Sequence, residues 1–250
     1  MREWTHEEHA EAVGAEITRM AGIVRGRDMS APVRTCPGWD LAQLVAHVGG
    51  AHRWSAAMVR DLVDRPYRAD EIEMGLPADV NGYPDWLGEG GALLSGTLLA
   101  RDAEAPVWCW AEDRRVRFWS RRMLHETVVH RMDAELALGV PVAVDEDVAA
   151  DGVEEFLDLL PYVPWQRGTA ELRGGGETIS LQADTGAGWV ITLDPDRFHH
   201  RRSVLPGDVT VRAATSADLL QVVWGRRGAD DYAVEGDAAL LAWWRERTRI

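Results

Sequence analysis

Four segments of the first 138 residues repeat their apolar side chains every three or four positions, and after about residue 145 the repeat shortens to two. A chain patterned this way folds as helices first and as a sheet with helices afterwards. The first segment runs from Thr5 to Val24, with Val13, Ile17, Met20 and Val24 on one stripe and Thr5 as its cap. The second spans Trp39 to Val63 through Leu41, Leu44, Val45, Val48, Trp54, Met58 and Leu62, with Gly49-Gly50 as a point where it can bend. The third covers Asp85 to Arg101, and the fourth Arg115 to Leu138, stopped by Gly139 and Pro141. Four striped helices imply a bundle, whose interior is a common place for a metal held from facing helices. A short helix near Asp151 to Leu160 leads to alternating runs at Gly168–Arg173, Thr178–Ala183, Trp189–Leu193 and Asp208–Arg212, read as an antiparallel sheet. Helices from Ser216 to Trp224 and from Asp237 to Arg247 complete an α+β region. The expected domains are 1–145, a metal-binding helical bundle, and 146–250, an α+β domain.

Composition narrows the chemistry. The formal net charge of -14 opposes nucleic-acid phosphates and anionic membranes as partners. All 27 basic residues are arginines, and with no lysine the chain cannot form a lysine Schiff base, anchor pyridoxal phosphate or build a Walker loop. Two cysteines, Cys36 and Cys109, are too few for an all-cysteine zinc site or a secreted disulfide framework. The polar start, Met1 to His9, lacks the apolar run of a signal peptide, and no later run is apolar enough to span a bilayer. The expectation is a cytoplasmic protein.

The segment His125-Glu126-Thr127-Val128-Val129-His130 superficially matches a zinc-protease signature, which requires histidines four residues apart. These are five apart and diverge by about 140° around a helix, so they cannot readily share an ion. Glu126 and His130 diverge by only about 40° and project side by side. Catalytic zinc takes three protein ligands and one open position, and His47, between Val45 and Val48 in the second stripe, is the third candidate, expected to face the bundle interior. His52 is expected to face elsewhere, and His125 to lie on the helix surface or behind the ligands.

Thr35-Cys36-Pro37-Gly38-Trp39, continuing from Leu41 through His47-Val48-Gly49-Gly50 to Trp54, resembles the opening motif of the mycothiol-dependent maleylpyruvate isomerase family. His125-Glu126-Thr127-Val128-Val129-His130-Arg131-Met132-Asp133-Ala134-Glu135 resembles its second motif. Ala214 to Leu220, Val223-Trp224-Gly225-Arg226 and Glu235-Gly236-Asp237 are similar to its C-terminal domain. The resemblance implies a DinB-like four-helix bundle followed by a sterol-carrier-like α+β domain, and a divalent metal, zinc being the one expected, on His47, Glu126 and His130. It also implies mycothiol as thiol cofactor and a small electrophile as substrate. Such a thiol would either transfer its sulfur to the electrophile, or add reversibly to a conjugated cis alkene and isomerise it.

Neither cysteine has an acid–base partner recognisable in the sequence, so both are read as structural and the reacting sulfur is assigned to the cofactor. An acidic substrate needs a cation, and Arg212 and Arg226, within the resembling C-terminal motifs, are the candidates. The run Arg197-Phe198-His199-His200-Arg201-Arg202 reads as a solvated strand or loop, and Gly174-Gly175-Gly176 as a hairpin turn. Trp39 and Trp54 are expected at the pocket mouth. A non-catalytic metal-binding regulatory protein on the same fold is the alternative from another functional class.

Overall fold

The computed structural model describes residues 2–163, 167–228 and 231–249, and the chain divides into two compact units, Glu3–Val142 and Ala143–Ile250. In the first, four helices form the expected bundle: α1 (His6–Val24), α2 (Leu41–Asp61), α3 (Tyr83–Leu99) and α4 (Val116–Ala137). Helix α1 packs on α3 and α4, and α2 packs on the same two. Reciprocal capping fixes two of the starts. Thr5 and Glu8 close the N-terminus of α1, and Asp40 and Gln43 close that of α2, each side chain accepting from the other residue's amide. The stripes meet in a core of Val13, Ile17, Met20, Leu44, Val48, Leu87, Leu94, Leu124 and Val128, all fully or almost fully buried. Helix α2 runs unbroken through Gly49-Gly50. Gly49 serves close packing, because a Cβ there would overlap the ring of Trp86 on α3.

The second unit contains α5 (Glu146–Leu159), β1 (Thr178–Ala183), β2 (Gly188–Leu193), β3 (Phe198–Arg202), β4 (Val209–Ala213), α6 (Ser216–Val223), β5 (Ala233–Gly236) and α7 (Ala238–Arg247). The sheet order is β3-β2-β1-β4-β5. It is mixed, not purely antiparallel as expected: β1 and β4 run parallel, with Leu181 opposite Val211, and the other pairs are antiparallel. The chain returns from β3 to β4 through residues 203–208, past β2 and β1, which permits that parallel pair, and the backbone of this return seals part of one sheet face. Ser180 donates to the Leu205 carbonyl at 2.8 Å and Gln182 to the Val204 carbonyl at 2.9 Å.

Two sequence expectations fail here. Gly168–Arg173 is not a strand, since Arg167–Glu171 forms a 3-10 helix. Gly174–Gly176 is not a hairpin turn; its amides bond to the Asp194 and Leu193 carbonyls and lead the chain into β1, while the β1–β2 turn lies at Asp184–Ala187. Residues 198–202 of the run 197–202 are β3, an edge strand, pinned to α5 by Arg202 with Glu154 and by His200 with Asp158 at 3.3 Å. Among the described residues no helix is long and apolar enough to cross a membrane.

Candidate metal centre

The turn before α2 and the middle of α4 build one cluster. Val33 bonds to the Trp39 carbonyl and Trp39 to the Cys36 carbonyl, with Gly38 at φ 87° where the chain reverses. That turn holds Trp39 beside His47, two turns into α2, and Cys36 beside His130 and Asp133 of α4. On α4, Glu126 and His130 stand one turn apart, as their spacing requires. Glu126 Oε1 lies 3.0 Å from His47 Nε2 and 3.3 Å from His130 Nε2. The two imidazoles are nearly perpendicular, with centroids 5.0 Å apart, and one ligand atom from each of the three residues falls within 4.8 Å of the others. Two ring nitrogens and a carboxylate oxygen converging in this way are the donor set that catalytic zinc takes, so the residues fit a divalent cation. The His47 side chain is 41% exposed, against 21% for Glu126 and 13% for His130. His47 therefore stands at the margin of the bundle and not in its interior, and the cluster opens on its side.

The surroundings fix the orientation of these groups. His130 Nδ1 donates to Asp133 Oδ2 at 2.9 Å, and the Cys36 thiol donates to the same oxygen at 3.4 Å. Arg122, almost wholly buried one turn before Glu126, donates to Oε2 at 3.3 Å and leaves Oε1 for the histidines. Trp39 covers both rings, with centroids 4.9 Å from His47 and 6.4 Å from His130. Burial opposes ionisation of Glu126, but the His130 charge, bonds from both histidines and Arg122 outweigh it and hold the carboxyl well below its ordinary range. Burial likewise opposes charging of His130. The Glu126 charge and bonds to Asp133, Cys36 and Glu126 overcome it, so His130 titrates well above an ordinary histidine. Without a cation the cluster is a carboxylate–imidazolium pair.

The sequence matches the family description "Mycothiol maleylpyruvate isomerase N-terminal domain" over residues 10–135 and "MDMPI C-terminal domain" over residues 147–242. The chain belongs to the mycothiol maleylpyruvate isomerase family. Two solved structures share the fold along the length of the chain. One is a mycothiol-dependent maleylpyruvate isomerase, 14% identical, with a TM-score of 0.57 and 93% of each chain covered. The other is a histidine-to-alanine mutant of such an isomerase, 13% identical, with a TM-score of 0.59 and the same coverage. No curated protein matched.

In this member of the maleylpyruvate isomerase family the remaining candidates are placed differently from one another. His125 is fully buried, edge-on to His9 at 6.5 Å, which removes the helix surface from the two places expected for it. Burial also pushes the pKa of His52 down to about 3; its Nε2 donates to Thr127 at 2.9 Å, while the Thr127 hydroxyl is spent on the Met123 carbonyl. Trp54 joins Trp108 and Trp119 in an aromatic cluster and donates to the Tyr67 carbonyl. Cys36 does have acid–base partners, Asp133 and His130, contrary to the sequence reading. Cys109 is buried, and burial raises its thiol pKa. In the second unit, Arg212 donates to Gln182 Oε1 at 2.6 Å and pairs with Glu235 at 3.4 Å. Arg226 donates to the Trp224 carbonyl at 2.6 Å with its guanidinium 5.7 Å above that ring. Spacing could have yielded Asp133 and Arg122, three residues after His130 and four before Glu126. No sequence signal pairs Cys36 with α4.

Proposed function

We propose that this chain is a mycothiol-linked isomerase of small electrophilic substrates, with a divalent cation held by His47, Glu126 and His130. The observation that carries the reading is the convergence of those three donor atoms at a place open to solvent on one side. Family membership supports the choice of thiol and reaction. Zinc is the proposed ion, since two imidazoles and one carboxylate suit a borderline cation. Bound there, it would supply the positive charge that keeps a coordinated thiol deprotonated near neutral pH.

The protein's own groups have distinct tasks. His47 and His130 present neutral Nε2 lone pairs, and Glu126 contributes a single negative charge, so a dication would keep a net positive charge for an incoming sulfur. Arg122 prevents Glu126 from turning. Trp39 shields the two imidazoles, while the open side at His47 admits thiol and substrate. The reacting sulfur is assigned to mycothiol and not to Cys36, whose thiol is engaged with Asp133.

The test is metal analysis together with turnover. The wild type should bind one zinc per chain, His47→Ala and His130→Ala should lose most of it, and His125→Ala should retain it because its ring lies in the core beside His9. With mycothiol and maleylpyruvate the zinc-loaded wild type should yield the trans isomer. Full zinc occupancy in folded His47→Ala and His130→Ala would remove this centre. Accumulation of a stable thioether in place of the isomer would reassign the enzyme to S-transfer, and zinc binding with no turnover of any electrophile would favour a regulatory protein.

A further inference from the structure

We infer that Asp133 is the positioning residue of the metal centre, keeping a proton on His130 Nδ1 so that, when a cation displaces the Nε2 proton, the Nε2 lone pair points toward Glu126 and His47. This rests on the reading of those three residues as metal ligands. Asp133 lies one turn beyond His130 on α4 and is fully buried, so its charge is costly unless it serves a partner. Its Oδ2 accepts from His130 Nδ1 at 2.9 Å, fixing the proton on that nitrogen, and which ring nitrogen of a histidine is free depends on the bond made by the other. The Cys36 thiol, donating to the same oxygen, braces the carboxylate from the opposite side in sequence, from the turn before α2. A carboxylate behind a ligating imidazole both orients the ring and raises its basicity.

The three ligands are supported unequally. Glu126 has Arg122 on its second oxygen, and His130 has Asp133. His47, the most exposed of the three, rests against the Trp39 ring. Loss of Asp133 should therefore be felt at the metal through His130, the ligand to which it bonds.

The experiment compares full-length wild type, Asp133→Asn, Asp133→Ala, His130→Ala and the double variant Asp133→Asn/His130→Ala. Zinc affinity is measured by competition with a chromophoric chelator, cobalt coordination by its visible absorption, and folding by thermal melting of the metal-free proteins. Asp133→Asn should weaken zinc binding about 10- to 100-fold and shift the cobalt bands, with Asp133→Ala weaker still because it lacks an acceptor oxygen. On the His130→Ala background the same asparagine should cost less than about twofold, the non-additivity expected of residues acting through one another. Should the alanine variant fail to fold, the near-isosteric asparagine carries the comparison. Zinc affinity and cobalt spectra unchanged in Asp133→Asn would overturn the inference and leave the metal centre standing, as would equal losses on both backgrounds. A wild type that binds neither ion would remove the centre itself and this inference with it.

Discussion

Two histidines facing each other's helices, His52 on α2 and His130 on α4, are pushed toward opposite protonation states within one short stretch of the bundle. The Glu126 charge and the bond to Asp133 favour the protonated form of His130, whereas burial keeps His52 neutral down to about 3. Its Nδ1 has no hydrogen-bond partner among the described residues. The sign of the consequence follows from linkage. The unfolded His52 titrates at about 6.5, so below that pH the unfolded state takes up a proton that the folded state refuses. In the metal-free protein this site should remove up to about 1.4 kcal/mol of stability per pH unit as pH falls from about 6.5 toward about 3. Urea unfolding of wild type and His52→Gln between pH 7 and pH 4.5 should give a steeper decline for the wild type; parallel curves would show that His52 does not set the slope. At this scale the sequence carries what a helix period can express: Glu126 and His130 four apart, and His47 among valines. It does not carry the burial of His125 or the bond from Cys36 to Asp133, because both depend on how α1 and the turn before α2 pack against α4.

Helices α2 and α3 meet where a glycine meets a tryptophan. The Trp86 ring lies against Gly49, its Nε1 donates to the Met74 carbonyl at 2.8 Å, and the Arg53 guanidinium sits 4.0 Å from the ring centroid. With both edge and face engaged, the ring cannot retreat from a new methyl group. Gly49→Ala should destabilise the protein by about 1–3 kcal/mol despite the better helix propensity of alanine, read as a lower urea midpoint. An unchanged or raised midpoint would mean that the interface yields. The four bundle helices were legible because each buries a continuous stripe, and their ends were displaced by only a few residues where caps such as Asp40 set the start. Strands were less legible. The 168–173 alternation is too short to distinguish a strand from a 3-10 turn, β5 is a mostly exposed edge strand, and the parallel partner of β1 lies beyond two intervening strands, which no local pattern reveals.

Across the whole molecule, the three proposed ligands and the residues bracing them fall within Glu3–Val142, and the two arginine candidates fall within Ala143–Ile250. Arg212 has one neutral partner, Gln182, and a looser pair with Glu235, so its guanidinium retains capacity for a carboxylate. Arg226 is committed to the Trp224 carbonyl and ring. If Arg212 binds the anionic part of the substrate, Arg212→Ala should raise KM about tenfold or more with zinc content unchanged, and Arg212→Lys should recover part of the loss. Steady-state kinetics indistinguishable from wild type in both variants would exclude that role. The cationic run on β3 has a different consequence. An open sheet edge is a template on which another chain can add a strand, and β3 is such an edge, carrying exposed His199, Arg201 and Arg202. Exposed arginines on such an edge would have to leave water for a second strand to add there, the kind of device by which an open edge resists growth of its sheet.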